Sequence, residues 1–216
     1  MEITIIGNLT VDLINGYIRG GGPGYYAGLA LAHLGHKVYL IGNVGLDYPS
    51  EYLEVLKSYN VILDYLRIVD RSTAFRIKYS ETSNRILILE NYGYKVVPEQ
   101  VPRELIDDKV VIVSPVIGEI DDEVIKYIFK SARFIVLDVQ GFVREVKGKG
   151  ILEYVPLSVH SDIISNSHII HAELNEVIEA KNNPLNAVLK LKEYGANISL
   201  LTLSKHGSIL VLKNSN

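Results

Sequence analysis

The sequence predicts an α/β fold: a mostly parallel central sheet with helices on both sides and a small β lid. Three observations carry this. Short β-rich runs alternate with helical patterns along the 216 residues. The runs "VVIVS", "FIVLD" and "SLLTL" are apolar throughout, as in strands covered on both faces. One segment, "TAFRIKYS", alternates instead, which marks a half-buried strand of a smaller sheet.

The elements follow in order. "ITIIG" is the first strand. "GGGPGYYAGLALAHLG", Gly20 to Gly35, is a glycine-rich turn running into a helix. That helix has almost no polar residue, so it reads as buried, with Gly28, Ala30 and Ala32 allowing another backbone close approach. Gly-Pro-Gly starts it and Gly35 stops it. "KVYLIG" is a strand, and "SEYLEVLKSY" is a helix with Tyr52, Leu53, Val55, Leu56 and Tyr59 on one face. From Thr73 to Ser80, Phe75, Ile77 and Tyr79 face one way and Arg76 and Lys78 the other. A Glu-Thr-Ser-Asn turn leads into "SNRILILENY", giving a hairpin over about residues 73–92. It reads equally as an edge hairpin or as a lid over a cleft. Then come "VVIVS", helix "DEVIKYIFK", "FIVLD", "HIIH", helix "LNAVLKLKEY" and "SLLTL".

Composition narrows the function. The chain is 48% hydrophobic and 22% charged, enough for one domain over residues 1–216. A net charge of -3 with no basic stripe disfavours nucleic acid as a partner. Without cysteine, neither disulfides nor thiolate metal sites are possible. No run is long enough to span a membrane, and the first residues form a strand pattern rather than a leader, so the expected location is cytoplasmic.

Several residues are candidates for chemistry. Asp12, in "GNLTVDLI", lies just past the first strand, where ligands of open α/β sheets bind at the strands' C-terminal edge. Asp47, in "GNVGLDYP", is a second carboxylate of this kind, although Asp beside Gly and Pro is also ordinary turn chemistry. Asp138 ends "FIVLD", with Gln140 and Arg144 following. His168 and His171 point to opposite faces of a strand, so they do not share a metal and read as core or edge histidines. Gly22 to Ala27 fits a dinucleotide fingerprint, but it does not follow a strand directly, and the next strand ends without an acid. No P-loop is present.

Taken together, the segments resemble the ribokinase-like, PfkB-type family of carbohydrate kinases across essentially the whole chain. "IIGNLTVDLI" resembles the first strand with its substrate-binding Asp, and "GGGPGYYAGLALAHLG" the Gly-Gly signature leading into a buried helix. "VYLIGNVGLD" resembles the V-G-x-D segment, "STAFRIKYSETSNRILIL" the lid strands and "VVPEQVP" the x-P-E-D-L-P connector. "VLDVQGFVR" resembles the D-x-Q-G-x-x-R of a sugar-kinase branch. "HAELNEV" falls where the family has K-x-N-x-x-E, and "LLTLSKHG" where it has T-x-G-x-x-G.

The resemblance implies a three-layer sandwich and phosphoryl transfer from ATP, with magnesium, to a hydroxyl of a sugar or nucleoside. It implies that Asp12, Gly21, Gly22, Tyr25, Asp47 and Gln140 bind the substrate, and that His171, Thr202, Ser204 and Gly207 lie at the nucleotide. Glu176 orients magnesium through water, and a homodimer forms through the lid. Tyr25 stands where the family has its sugar-binding Asn, His171 and Glu173 replace Lys and Asn, and Ser204 replaces a Gly. The short link from Asp12 to Gly21 leaves no room for early lid strands. The family's G-A-G-D segment, which carries the catalytic Asp, is expected beyond Asn216, leaving part of the sheet without its closing helices. A second reading is a sugar or nucleoside binder on a degenerate kinase fold, and a dinucleotide oxidoreductase is a distant third.

Overall fold

The computed structural model describes residues 1–79, 85–195 and 197–213. In chain order its strands and helices are β1 (Glu2–Ile6), β2 (Thr10–Ile14), β3 (Tyr17–Gly21), α1 (Pro23–His33), β4 (Lys37–Gly45), α2 (Ser50–Ser58), β5 (Leu66–Val69), β6 (Thr73–Tyr79) and β7 (Arg85–Asn91). There follow β8 (Val110–Val113), α3 (Asp122–Ser131), β9 (Phe134–Asp138), α4 (Gln140–Val143), β10 (Arg144–Val146), β11 (Leu152–Tyr154), α5 (Ser161–Ser165), β12 (Ile169–Glu173), α6 (Pro184–Glu193), β13 (Ile198–Thr202) and β14 (Ser208–Leu212). The Glu-Thr-Ser-Asn turn read from the sequence lies outside the described residues.

The described residues form an eight-stranded sheet in the order β14-β13-β12-β9-β8-β1-β4-β5. It is parallel except for β14, which runs antiparallel to β13. One core lies between β8, β9, β12 and β13 and the helices α3, α5 and α6, around Val111, Ile135, Leu137, Ile128, Ile164, Ile170 and Leu191. A second lies under α1 and α2, around Ile5, Leu40, Val38, Tyr25 and Leu56.

The two faces of the sheet are unequal. In register across it run Ile5, Ile112, Val136, Ile169, Ile198 and Leu212. The next row is Asp138, His171, Leu200 and Leu210, and the last is Glu173, Thr202 and Ser208. Helices α1 and α2 reach only the start of this face. Val136, Ile169, Ile198 and Leu200 are half-buried and belong to none of the clusters formed by the described residues, while Leu210 and Leu212 are 56% and 57% exposed. Apolar residues on both faces of these strands therefore do not report double coverage, as the continuous runs suggested. Polarity rises along this open face toward the strands' C-terminal edge.

The lid is larger than the sequence suggested. Four strands in the order β3-β2-β6-β7 make it, and the segment between Asp12 and Gly21 does contain an early lid hairpin. Its turn is Asn15-Gly16, both at positive φ (50° and 83°), the chemistry of a tight hairpin. β6 and β7 pair as expected, with Phe75 and Ile77 buried and Arg76 and Lys78 exposed. Phe75 packs with Val116 and Ile117, joining lid to sheet.

Helix α1 is not buried all round. Gly24, Tyr25 and Gly28 face the core, but Tyr26, Ala30 and Leu34 are exposed. The low polarity of its sequence reflects an apolar outer surface rather than a second packed neighbour.

Candidate active site

Where β1 leaves the sheet, a buried polar network fixes the crossover into the lid. Asn8 Oδ1 accepts the Asn43 N–H at 2.8 Å, and the Asn8 side-chain amide donates to the Tyr94 carbonyl at 2.8 Å. Glu119, fully buried, accepts the N–H groups of Asn8, Val116 and Ile117 at 2.8–3.1 Å. A buried carboxylate needs such donors to remain inside. The bonds from Asn8 to Asn43, Tyr94 and Glu119 join residues far apart in the chain and carry no sequence signal, whereas Glu119 takes the Val116 and Ile117 N–H groups within its own turn.

Between the lid and the sheet edge lies a cavity of about 290 Å³. Asp12, Thr10, Phe75 and Leu87 line it from the lid; Gly22, Pro23 and Tyr26 from the start of α1; Val116, Asp138, Gln140 and Arg144 from the sheet edge. Asp12 thus sits within lid strand β2 rather than at the end of β1. Thr10 Oγ1 donates to Asp12 Oδ1 at 3.3 Å. Gly21 pairs with Thr10, and a β-carbon on it would stand 2.6 Å from Asp12 Oδ2. Gly22 has φ 94°, and a β-carbon there would lie 2.7 Å from the Asn8 carbonyl oxygen. The two glycines therefore let the lid hairpin fold back against Asp12 and start α1 at the cavity wall.

Two substrate candidates are not where the sequence put them. Tyr25 turns into the core, 8% exposed, with its ring edge-on to those of Tyr26 and Tyr52. Its neighbour Tyr26 takes the wall. A helix turns about 100° per residue, so a one-residue step decides which ring faces the cavity. Asp47 is exposed and does not line the cavity; its Oδ1 accepts the Ser72 N–H at 2.8 Å. That bond ties the turn after β4 to the segment leading into β6.

At the sheet edge, Asp138 Oδ1 accepts the Gln140 N–H at 3.0 Å, and Ser114 Oγ lies 3.2 Å from Oδ2. His171 brings Nδ1 to 3.5 Å from Asp138 Oδ2 and Nε2 to 3.2 Å from Thr202 Oγ1. It is therefore no core histidine; His168, half-buried, stacks on Phe134, and its Nδ1 accepts the Ile135 N–H at 3.1 Å. Burial alone would lower the basicity of His171, but Asp138, with Glu176 and Glu173 behind it, outweighs burial and raises it.

Arg144 closes the cavity floor with its side chain only 6% exposed. Nη1 donates to the Val116 carbonyl at 3.2 Å, and Nη2 lies 3.9 Å from Glu176 Oε1. Glu176 is 2% exposed, and its Oε2 accepts the Glu173 N–H at 2.8 Å. Burial, then the nearby Asp138, pushes its carboxyl up to about 7 against the pull of Arg144 and the Glu173 amide.

Beyond Thr202 a short loop turns back into β14. Ser204 takes a left-handed backbone, φ 53°, and Gly207 follows at φ 91°. A glycine would take the left-handed Ser204 backbone with less strain than serine does. Ser204, Lys205 and His206 are exposed, so hydroxyls and basic groups are presented to solvent. These residue types fit the phosphates of a nucleotide. Among the described residues no group of three His, Asp or Glu forms a cage for magnesium, and the Glu176 carboxylate is buried. No helix of the described residues is long and apolar enough to cross a membrane.

No protein-family model matches the chain, and no curated protein matches its sequence. Solved structures do match. A pyrophosphate-dependent kinase of the ribokinase family, complexed with a pyrophosphate analogue and myo-inositol, superposes with a TM-score of 0.80 at 21% identity. The match covers 98% of this chain and 76% of that one. Aminoimidazole riboside kinase from Salmonella enterica, with aminoimidazole riboside and an ATP analogue, gives 0.69 at 17% identity over 98% and 74% of the two chains. Arabidopsis thaliana ribokinase, with ribose and ATP, gives 0.65 at 17% over 99% and 75%. The chain has the ribokinase-like fold.

Proposed function

We propose that this chain is built to bring a phosphoryl donor to a hydroxyl of a sugar, nucleoside or related polyol, with ATP as donor and magnesium carried on its phosphates. One observation supports this most: the carboxylates Asp12, from the lid, and Asp138, from the sheet edge, line one cavity whose sheet-edge wall continues, through His171, into the exposed loop after Thr202. A polyol hydroxyl is a hydrogen-bond donor, which carboxylates accept strongly. Asp12 and Asp138 would hold the acceptor, Gln140 and Arg144 its remaining oxygens, and Tyr26 would cover it. Thr202, Ser204 and Lys205 would hold the donor's phosphates. The lid sheet would exclude water, which otherwise competes for the phosphoryl group. Bound ATP supplies the phosphoryl group.

The test is calorimetric titration with ribose, myo-inositol and a nucleoside panel, then ³¹P NMR for transfer from ATP and from pyrophosphate. Saturable polyol binding that Asp12→Ala weakens is the expected result. Absence of binding across the panel by the folded chain overturns the reading. The non-catalytic alternative draws on one observation: His171, where the family has Lys, is turned to Asp138 and Thr202. Binding without transfer would select it. Transfer by residues 1–216 alone would make Asp12 or Asp138 the base. A homodimer through the lid belongs to the same proposal, since Ile18 and Ile86 are exposed on that sheet.

A further inference from the structure

Three side chains on adjacent strand ends join the cavity to the loop. Asp138 ends β9 and lines the cavity, and Thr202 ends β13 where the loop begins. His171 on β12 lies between them, one ring nitrogen toward each.

We infer that His171 couples the two ends of the site, so that a phosphate-bearing donor at the loop alters how tightly the cavity holds its polyol. This rests on the function proposed above.

The chemistry leaves the ring few choices. A carboxylate only accepts, so Nδ1 carries a proton toward Asp138. Nε2 then has two states. In the neutral ring it accepts the Thr202 hydroxyl proton. In the imidazolium it donates to Thr202 Oγ1, and that proton turns to the Ala172 carbonyl, 3.4 Å away. The hydroxyl that opens the loop has two discrete directions, and the ring selects between them. Coupling between sites travels through elements of this kind.

The other end is equally constrained. Asp138 Oδ2 is shared between Ser114 and His171, while Oδ1 takes the Gln140 N–H. A change in the ring's hold on Oδ2 therefore changes how well the carboxylate accepts from a ligand. An anion at the loop favours the imidazolium, which fixes Asp138 in one orientation for the polyol. Phenylalanine at 171 keeps the bulk and removes both contacts. Valine at 202 keeps the shape and removes the hydroxyl.

The test uses pyrophosphate as donor probe and myo-inositol and ribose as polyol probes, with calorimetry of each polyol at zero and saturating pyrophosphate. In the unaltered chain pyrophosphate is expected to change polyol affinity by about fivefold or more. In His171→Phe and Thr202→Val the ratio is expected to fall to about one, with His171→Gln intermediate. A ratio of one in the unaltered chain, or an unchanged ratio in His171→Phe, overturns the coupling. ¹⁵N NMR of the imidazoles needs no polyol. It is expected to show a protonated His171 Nδ1, and an Nε2 signal that pyrophosphate moves in the unaltered chain but not in Thr202→Val. An unprotonated Nδ1, or ring signals indifferent to pyrophosphate, overturns it. If neither polyol binds, the acceptor reading fails, while the imidazole spectra still decide the coupling.

Discussion

Gly21 lies against Asp12: it pairs with Thr10 across the β2–β3 hairpin, two residues from the Asp12 register on the same face, and a β-carbon on it would come 2.6 Å from Asp12 Oδ2. The carboxylate has its place because this diagonal neighbour has no side chain. Gly21→Ala is expected to displace Asp12 and weaken polyol binding about as much as removing the carboxylate, while the chain stays folded. Asp12→Ala is expected to cost about 1.5–3 kcal/mol of binding, the range for a charged hydrogen bond. Calorimetry with unfolding controls checks both; unaltered binding in Gly21→Ala would remove Asp12 from the site.

Tyr25 and Tyr26 are expected to separate stability from selection. Tyr25→Ala removes a core ring and is expected to lower unfolding free energy by about 3 kcal/mol or more. Tyr26→Ala, at an exposed wall position, is expected to change the order of preference across the polyol panel with little loss of stability. The reverse pattern, in denaturant melts and titrations, would return the recognition role to Tyr25.

Glu176 makes stability depend on pH. Its carboxyl titrates at about 7 in the folded chain, against 4.5 for an ordinary glutamate. The folded state therefore binds the proton more tightly than the unfolded state, so stability is greatest below about pH 4.5 for this group and falls as pH rises toward 7. The loss is on the order of 3 kcal/mol, since each tenfold difference in proton affinity between the two states corresponds to about 1.4 kcal/mol. Glu176→Gln, which keeps an acceptor for the Glu173 N–H, is expected to flatten that slope in urea melts at about pH 5 and about pH 8. An equal slope in the variant would place the titration elsewhere.

Glu119 gathers three backbone donors in a buried turn. Glu119→Ala leaves them without an acceptor, at about 1–3 kcal/mol each, and is expected to prevent stable folding. Glu119→Gln retains one oxygen and is expected to fold with reduced stability. Thermal melts of the two variants distinguish the cases; a stable Glu119→Ala chain would mean water replaces the carboxylate.

The open sheet face is expected to make residues 1–216 self-associate, because apolar strands with one bare face bind one another or anything apolar. Leu210→Lys with Leu212→Lys places charge at the exposed edge strand and is expected to raise solubility and lower dye binding without loss of stability. Sedimentation velocity over a concentration series reads the result. Identical association in the double variant would assign it to the lid or to the outer surface of α1.

The order of strands and helices was legible in the sequence, because apolar period and turn chemistry are local properties. So were Asp138, Gln140 and Arg144, which follow one strand end within a few residues. The Asn15-Gly16 hairpin has a local signature too, but the short link around it concealed it. Tertiary structure alone decided which tyrosine faces the cavity, that Asp47 holds the distant Ser72 amide, and that His171 lies between Asp138 and Thr202 rather than in a core. It also decided which face of β9, β12, β13 and β14 the described residues leave open, the one carrying Val136, Ile169, Leu200 and Leu210. Each of these depends on which distant strand or helix comes to lie beside a residue. Local sequence sets the alternation of faces along a strand, but the neighbours that cover a face arrive from elsewhere in the chain.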